Sequence, residues 1–226
     1  MKKILFICLL MGYGSAHAGL FQGNSTGKFI NPTGLSTMVT TGVGTNLFTW
    51  GSGISNSPPS SLEYTGSAFN VDQNNPFVFG SLNYYNGTIA SGTGANSISL
   101  SVILDFISPV GVLENFGYNL GLINTPNSSD PNSSADIVNF DNTVPSNFFS
   151  AGGVDYTLEF LGFGTLSGGG FTISDSFRVF ENDSASVDLI GRITSTPGIA
   201  VPEPSTPLLI GLGLLSFLWV RKKTNS

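Results

Sequence analysis

A strict alternation of apolar and polar residues constrains the fold of this chain more than any other feature. In the segment SISLSVILDF, every second position is apolar, and serine or aspartate fills most of the positions between. The apolar set is Ile98, Leu100, Val102, Leu104 and Phe106. A period of two puts one set of side chains on each face of a β-strand. One apolar and one polar face is typical of an antiparallel sheet that covers a core with one side.

The same period recurs along the middle of the chain. Strands are predicted at 47–51, 62–71, 76–85, 97–106, 116–122, 135–140, 154–160, 171–180 and 187–193. Gly80 interrupts the alternation within 76–85, which predicts a β-bulge. Turn signals such as Asn86-Gly87 separate the runs. About eight or nine short strands at such spacing predict an all-β fold, an antiparallel β-sandwich with jelly-roll-like topology, with a barrel as the alternative.

The N-terminus has the order of a secretory signal peptide. Two lysines precede an apolar stretch at 4–11, and small residues follow, with Ala16 and Ala18 two positions apart. This order predicts a signal peptide at 1–18 that is cleaved after Ala18. Cleavage would remove Cys8 and His17, which are the only cysteine and the only histidine of the chain. The mature protein would then lack the residues for disulfides, Cys nucleophiles, His general bases and His/Cys metal sites.

The C-terminus combines a proline-rich motif, an apolar run and a basic tail. The run, 208–220, has no charge. A helix of its length spans roughly 20 Å, whereas a bilayer core is about 30 Å thick. The sequence therefore predicts a short transmembrane helix at 208–220. The basic residues behind it would stay on the cytoplasmic side of the membrane.

The three features are the motif Val201, Pro202, Glu203 and Pro204, the run 208–220 and the basic tail Arg221, Lys222 and Lys223. In this order they resemble the PEP-CTERM sorting signal of Gram-negative bacteria. The resemblance implies a sorting signal at 201–226 that is recognised by an exosortase, a membrane protease-transpeptidase. The helix would hold the protein in the inner membrane for a time before delivery to the cell surface or extracellular matrix. A permanent single-pass anchor is the alternative.

The domain between these two ends, 19–200, is acidic. Five of the eight Lys+Arg of the chain lie in the two ends, so three bases remain beside thirteen of the fourteen Asp+Glu. Nucleic acid is not expected as a partner, because phosphate binding uses clustered lysine and arginine. Anionic lipid is not expected for the same reason.

The body also resembles a known group of bacterial surface domains. The segments FTWGSG, SSLEYTGSAF, PFVFGSLNYYNGTI, NTPNSSDPNSSADIVNF and YTLEFLGF carry the resemblance. They are similar to the choice-of-anchor K group, which is close to the domains called THxN, over most of 47–193. The Thr-His-x-Asn motif itself is absent. The resemblance implies an exported surface domain, and these groups have no established enzymatic activity.

One polar segment, DPNSSADIVNFD, is a candidate calcium site. Oxygen-bearing side chains occupy positions 1, 3, 5, 7 and 12 of an EF-hand-like loop, namely Asp130, Asn132, Ser134, Asp136 and Asp141. Ala135 stands where such loops have glycine. The alternative is a polar connecting loop whose aspartates and asparagines hydrogen-bond to the backbone. We therefore expect no cofactor, with calcium as the candidate to test.

Other carboxylates offer weaker candidates for chemistry. Glu181, Asp183 and Asp188 form an acidic stretch that is a second candidate cation site, with a solvated loop as the alternative. Asp155 and Glu159 share one strand face, but roughly 13 Å separates positions four residues apart along a strand. Glycoside hydrolysis needs two carboxylates about 5 to 10 Å apart, so a neighbouring strand would have to supply the partner.

Aromatic residues are candidates for stacking on sugar rings. The candidates are Trp50, Tyr64, Tyr84, Tyr85, Phe148 and Phe149, and the alternative is that they fill the core. The leading functional hypothesis is a non-enzymatic structural or adhesive protein of the cell surface or of the extracellular matrix of a biofilm. A carbohydrate-binding module in exopolysaccharide is the alternative. A glycoside-acting enzyme that uses two carboxylates is the less favoured one.

Overall fold

The computed structural model describes residues 19–108, 111–140, 147–151, 153–167 and 170–195. Throughout these ranges the chain is all-β and forms no helix. Within them, no segment meets the length and apolarity that a membrane-crossing helix requires. Several predicted features lie outside these ranges, namely the signal peptide with Ala16 and Ala18, Asp141, the motif Val201, Pro202, Glu203 and Pro204, the run 208–220, and Arg221, Lys222 and Lys223.

Fourteen strands make up the described part of the chain. They are β1 (Leu20–Gly34), β2 (Thr40–Thr41), β3 (Leu47–Trp50), β4 (Ser60–Gly66), β5 (Ala68–Asp72), β6 (Pro76–Tyr85), β7 (Ala95–Ser108), β8 (Leu113–Ile123), β9 (Asp136–Phe140), β10 (Asn147–Ala151), β11 (Val154–Ser167), β12 (Gly170–Ser174), β13 (Ser176–Val179) and β14 (Ser184–Ser195).

The strands form two antiparallel sheets. The first sheet has six strands in the order β13-β9-β8-β7-β1-β5. The second has eight strands, seven of them in the order β10-β11-β14-β6-β4-β3-β2, with β12 paired to β11 beside that path. The apolar faces of both sheets contribute to one hydrophobic core. The predicted all-β, antiparallel class is confirmed.

The predicted apolar faces point into this core. The five alternating residues of SISLSVILDF, which lie in β7, are each no more than 2% exposed. Phe116, Tyr118, Leu120 and Leu122 of β8 are likewise buried. Val154 differs, since it is 43% exposed at the first position of β11. Burial of these side chains is the main favourable contribution to folding of such a sheet.

Two of the predicted strands are each divided by a bend into two shorter strands, one in each sheet. The segment predicted at 62–71 divides into β4 of the second sheet and β5 of the first. The segment predicted at 171–180 divides likewise into β12 and β13. Strands that pass a corner in this way switch sheets at a bend. At the first corner the bend requires Gly66, because a Cβ there would collide with the carbonyl oxygen of Ser25.

The bulge predicted at Gly80 is confirmed. Leu189 of β14 lies opposite Gly80, but its neighbour Ile190 lies opposite Val78, so Phe79 is the extra residue of β6. The bulge places the Phe79 carbonyl where it accepts a hydrogen bond from the Tyr64 hydroxyl at 2.9 Å. The bulge therefore ties β6 to β4 through a buried side chain as well as through the sheet.

Candidate functional site

Loops from both sheets converge at one end of the molecule and enclose a cleft of about 850 Å³. The wall from the first sheet comes from the ends of β1 and β8 and the starts of β7 and β9. The other wall comes from the loops that follow β3, β6 and β13. This volume lies within the range of about 300–1,000 Å³ that is usual for small-molecule sites.

The first carboxylate of the cleft, Asp136, is built into its wall. It is the first residue of β9 and is only 4% exposed. Its Oδ1 accepts hydrogen bonds from the backbone N–H of Thr125 at 2.7 Å and from the Thr125 hydroxyl at 3.1 Å. Its Oδ2 accepts one from the Tyr84 hydroxyl at 3.3 Å. Asp136 thus fastens the loop after β8 to the core.

Burial raises the pKa of both the Asp136 carboxyl and the Tyr84 phenol. Desolvation raises the pKa of the Asp136 carboxyl; the hydrogen bonds from Thr125 and Tyr84 partly offset the rise, and the negative charge of Glu181 adds to it. Burial, and next the charge of Asp136, also raise the pKa of the Tyr84 phenol. The phenol therefore keeps its proton and remains a hydrogen-bond donor to Asp136.

The second carboxylate of the cleft, Glu181, is half-buried in the loop between β13 and β14. Its Oε1 accepts a hydrogen bond from the Asn127 side-chain amide at 3.1 Å. Among the described residues, an ion pair joins Arg192 to Glu159 at 2.7 Å. Within the same residues, neither carboxylate of the cleft is paired with a cation. The cleft therefore carries unneutralised negative charge.

Amide and aliphatic side chains complete the lining. Asn124 is held from two sides: its Oδ1 accepts from the Trp50 indole N–H at 3.0 Å, and its Nδ2 donates to the Ala95 carbonyl at 2.8 Å. Leu35, Ile54 and Ile123 are 61%, 44% and 46% exposed at the cleft. An arrangement of this kind can accept hydrogen bonds from hydroxyl or ammonium groups and contact the apolar face of a ligand.

The candidate calcium segment lies beside this cleft as a turn closed by its own side chains. Asp130 accepts hydrogen bonds from the backbone N–H of Asn132 at 3.1 Å and from the Ser133 hydroxyl at 2.6 Å. These hydrogen bonds lower the pKa of the Asp130 carboxyl, with Ser133 the main cause. The buried Ser134 hydroxyl accepts from the Ser128 backbone N–H at 2.7 Å.

At several of these positions the geometry is that of a polar turn, which is the alternative to a calcium site. Asp136 faces Thr125 and Tyr84, and Asp141 lies outside the described residues. Within the described ranges, no three Asp, Glu, His or Cys side chains cluster so as to hold a metal ion. Calcium binding that involves Asp141 stays a prediction.

The other carboxylates are spread over different surfaces. Of the acidic stretch, Glu181 lies in the cleft, while the Asp183 side chain accepts from the Ser184 backbone N–H at 2.7 Å. Burial raises the pKa of the half-buried Asp188 carboxyl on β14. On β11, Asp155 accepts a hydrogen bond from Ser150, and Glu159 is paired with Arg192.

The interpretation of the aromatic residues as exposed sugar platforms is wrong for most of them. Trp50, Tyr64 and Tyr84 are each 1% exposed and Phe149 is 4% exposed. Their rings pack into the core instead. The Trp50 ring stacks on Tyr84 with centroids 5.4 Å apart, and the Phe149 ring stacks on Phe106 with centroids 5.2 Å apart. Phe148 on β10 is 70% exposed, and Tyr85 is half-buried.

A second concavity lies on the outer face of the first sheet. It measures about 380 Å³ and is lined mainly by uncharged polar side chains of β1, β7, β8 and β9. Thr33 and Ser97 share a hydrogen bond of 2.6 Å there, and Ser99 donates to Asn119 at 2.7 Å. The Asn139 Oδ1 in the lining has no hydrogen-bond partner among the described residues. No charged residue of the described ranges lines this concavity, so the cleft at the end of the sheets is the stronger candidate site.

The comparison with protein families indicates the destination of this chain. Residues 200–222 match the family model described as the PEP-CTERM protein-sorting motif. The motif marks an exported protein that an exosortase sorts to the cell envelope or surface. It covers the predicted Val201, Pro202, Glu203 and Pro204 together with the apolar run. No curated protein matches the chain.

The structural role of Asp136 can be tested by two substitutions. We expect Asp136→Ala to destabilise the fold by about 2–4 kcal/mol, because it leaves the buried donors of Thr125 and Tyr84 without an acceptor. Asp136→Asn keeps an acceptor for Thr125 and should cost less. Denaturant unfolding at neutral pH measures both. Asp72→Asn, at an exposed position of β5, is the control and should have little effect.

The same variants give a pH dependence with a definite sign. A carboxyl whose pKa is raised by folding contributes most to stability below its ordinary pKa, and this contribution is lost as the pH rises through the raised pKa. The stability of the wild type relative to Asp136→Asn should therefore fall as the pH rises over that window. A difference that stays constant or grows with pH would contradict the assignment.

Proposed function

We propose that this chain is a non-enzymatic structural or adhesive protein of the cell surface or of the extracellular polysaccharide matrix of a biofilm. The observation that carries the proposal is the sorting motif at 200–222, which supports export and sorting by an exosortase. In this proposal the signal peptide at 1–18 directs export. The run 208–220 then anchors the protein in the inner membrane until the exosortase acts.

For the exported domain, 19–200, we propose a β-sandwich of jelly-roll-like topology. Support comes from two antiparallel sheets that share one core, and from the β4–β5 and β12–β13 segments that cross between them. The resemblance to the choice-of-anchor K surface domains fits this architecture and stays a prediction. A domain built from two antiparallel sheets around one core suits a structural or adhesive role at the cell surface.

Carbohydrate binding is a second candidate function, and the cleft is the observation that favours it. Carboxylate oxygens and amides on its walls can hydrogen-bond to sugar hydroxyls, while Leu35, Ile54 and Ile123 can contact the C–H face of a ring. A glycoside-acting enzyme would need a free acid and a free base there. Asp136 already accepts hydrogen bonds at both oxygens, which argues for binding rather than hydrolysis.

Co-sedimentation with exopolysaccharide from the producing cells tests the proposal. Protein released from the cell surface should pellet with the polysaccharide, and prolonged incubation should release no new reducing ends. Bovine serum albumin, which is also acidic, serves as the control for non-specific trapping. Release of reducing ends that is lost in Glu181→Gln would replace the adhesive proposal with an enzymatic one. Failure to pellet would remove the polysaccharide as a partner and leave sorting untouched.

A further inference from the structure

The charged residues that line the cleft all have one sign. Asp136 and Glu181 line it, and the three bases of the described domain lie elsewhere. Arg192 is paired with Glu159, Lys28 lies on β1 opposite Ser101 of β7, and Arg178 lies on β13 opposite Ile137 of β9. None of these three bases lines the cleft. A negatively charged ligand would therefore be repelled by the two carboxylates and would meet no cation among the described residues of the lining.

The two carboxylates differ in what they can offer to a ligand. Asp136 is 4% exposed and its two oxygens hold Thr125 and Tyr84, so it positions the wall. Glu181 is half-buried, and only its Oε1 is engaged, by Asn127. Its Oε2 has no hydrogen-bond partner among the described residues. Glu181 is thus the carboxylate that can accept a hydrogen bond from a ligand.

The lining also limits the shape of the ligand. Leu35, Ile54 and Ile123 place exposed aliphatic surface in the same cleft as the carboxylates. A pyranose ring matches both the aliphatic surface and the carboxylates, since its C–H face is apolar and its edge carries hydroxyl or amino groups. An ammonium on that edge would form a charge-assisted hydrogen bond with Glu181, which is stronger than a neutral one.

We propose that the cleft binds polysaccharides made of amino sugars, accepts uncharged sugars more weakly and rejects uronic acids, with Glu181 as the residue that sets this preference. The proposal rests on the carbohydrate binding proposed above and names its ligand class. In this proposal the Glu181 carboxylate attracts the ammonium group of an amino sugar and repels the carboxylate of a uronic acid. One residue therefore both favours the preferred ligand and disfavours the other.

Calorimetric titration with three hexasaccharides tests this preference on the processed protein from the cell surface. The probes are β-1,4-linked hexamers of glucosamine, of glucose and of mannuronic acid, used at pH 6 and low salt. We expect the glucosamine hexamer to bind at least tenfold more tightly than the glucose hexamer, and the mannuronic acid hexamer to bind too weakly to measure. Raising the salt concentration should reduce the preference for glucosamine.

The decisive variant is Glu181→Gln, which keeps an acceptor for Asn127 and removes the charge. It should bring the glucosamine and glucose affinities to within about twofold of each other. Glu114→Gln is the matched control, because Glu114 lies near the other end of β8, about 30 Å from the cleft along an extended strand. Glu114→Gln should leave all three affinities unchanged.

The outcomes separate this proposal from the function on which it rests. Binding of the glucose and glucosamine hexamers with equal affinity in both wild type and Glu181→Gln would overturn the charge selection and keep carbohydrate binding. Absence of binding to every hexamer would overturn both. Uronic acid binding that requires added Ca²⁺ would overturn the proposal in favour of a metal-bridged site.

Discussion

Full-length protein should accumulate in the inner membrane when Pro202, Glu203 and Pro204 are all replaced by alanine. The family match covers these three residues, and in the proposed sorting the exosortase recognises this motif. Without recognition we expect the run 208–220 to keep holding the chain in the membrane, as an uncleaved tail does in other anchor signals. A blot of a tag placed after Gly19 measures the effect. Wild type should run about 2 kDa smaller than the variant, the mass expected for a removed C-terminal tail.

The control for this experiment is the alanine variant of the next three residues, Ser205, Thr206 and Pro207, which also lie in the matched range. It should be processed like the wild type. Replacing Arg221, Lys222 and Lys223 should instead weaken retention of the precursor, because the short run has little else to fix its orientation. Full-length wild-type protein in cells with an active exosortase would show that the tail is a permanent anchor.

Gly80→Ala should be among the most destabilising single-methyl changes in the domain. The Tyr64 ring, 1% exposed, lies between Gly27 of β1 and Gly80 of β6. A Cβ on Gly80 would lie 2.5 Å from the Tyr64 ring and 2.5 Å from its hydroxyl oxygen. The ring cannot withdraw, because its hydroxyl shares a hydrogen bond of 2.9 Å with the Ser25 hydroxyl and donates to the Phe79 carbonyl at 2.9 Å.

The expected loss is about 2–4 kcal/mol, which combines the strain of overpacking with the lost hydrogen bonds. Denaturant unfolding of the purified protein measures it. Gly117→Ala is the matched control: it adds the same methyl group to β8, where no atom lies within 4 Å of the added carbon, and it should be neutral or slightly stabilising. Gly80→Ala combined with Tyr64→Phe should cost less than the sum of the two single changes. Equal stability of the two glycine variants would show that the ring is not confined.

The same confined ring explains why the longest strand was not predicted. The inward positions of β1 between Phe21 and Phe29 are Gly23, Ser25 and Gly27, so no apolar alternation is visible there. These positions are small because the rings of Phe69 and Tyr64 press against them from other strands. The facing rings leave no room for larger side chains at these positions, and those rings come near only in the folded chain. Burial also raises the pKa of Tyr64 to about 12.

Local pattern was sufficient where large apolar residues alternate with polar ones. The bounds of β6 and its bulge at Gly80 followed from the sequence, and so did the inward faces of β7 and β8. Burial of these faces depends mainly on the identity of their own side chains, so a single segment contains enough information. The C-terminal sorting motif was readable for a similar reason, since it is a linear motif, and it is matched. The signal peptide at 1–18 stays a prediction.

Tertiary structure alone decided which residues share the cleft. Asp136 and Glu181 were predicted in two separate candidate cation sites, and Leu35, Ile54 and Asn124 had no signal at all. They meet because strands of both sheets begin or end at the same end of the fold, which depends on the order of pairing across the whole chain. The sequence by itself determined strand faces, the bulge and the sorting motif, because each depends on neighbouring residues. The long β1 strand, the burial of the aromatic rings and the acidic cleft depend on contacts between residues far apart in the chain, and those contacts exist only in the folded protein.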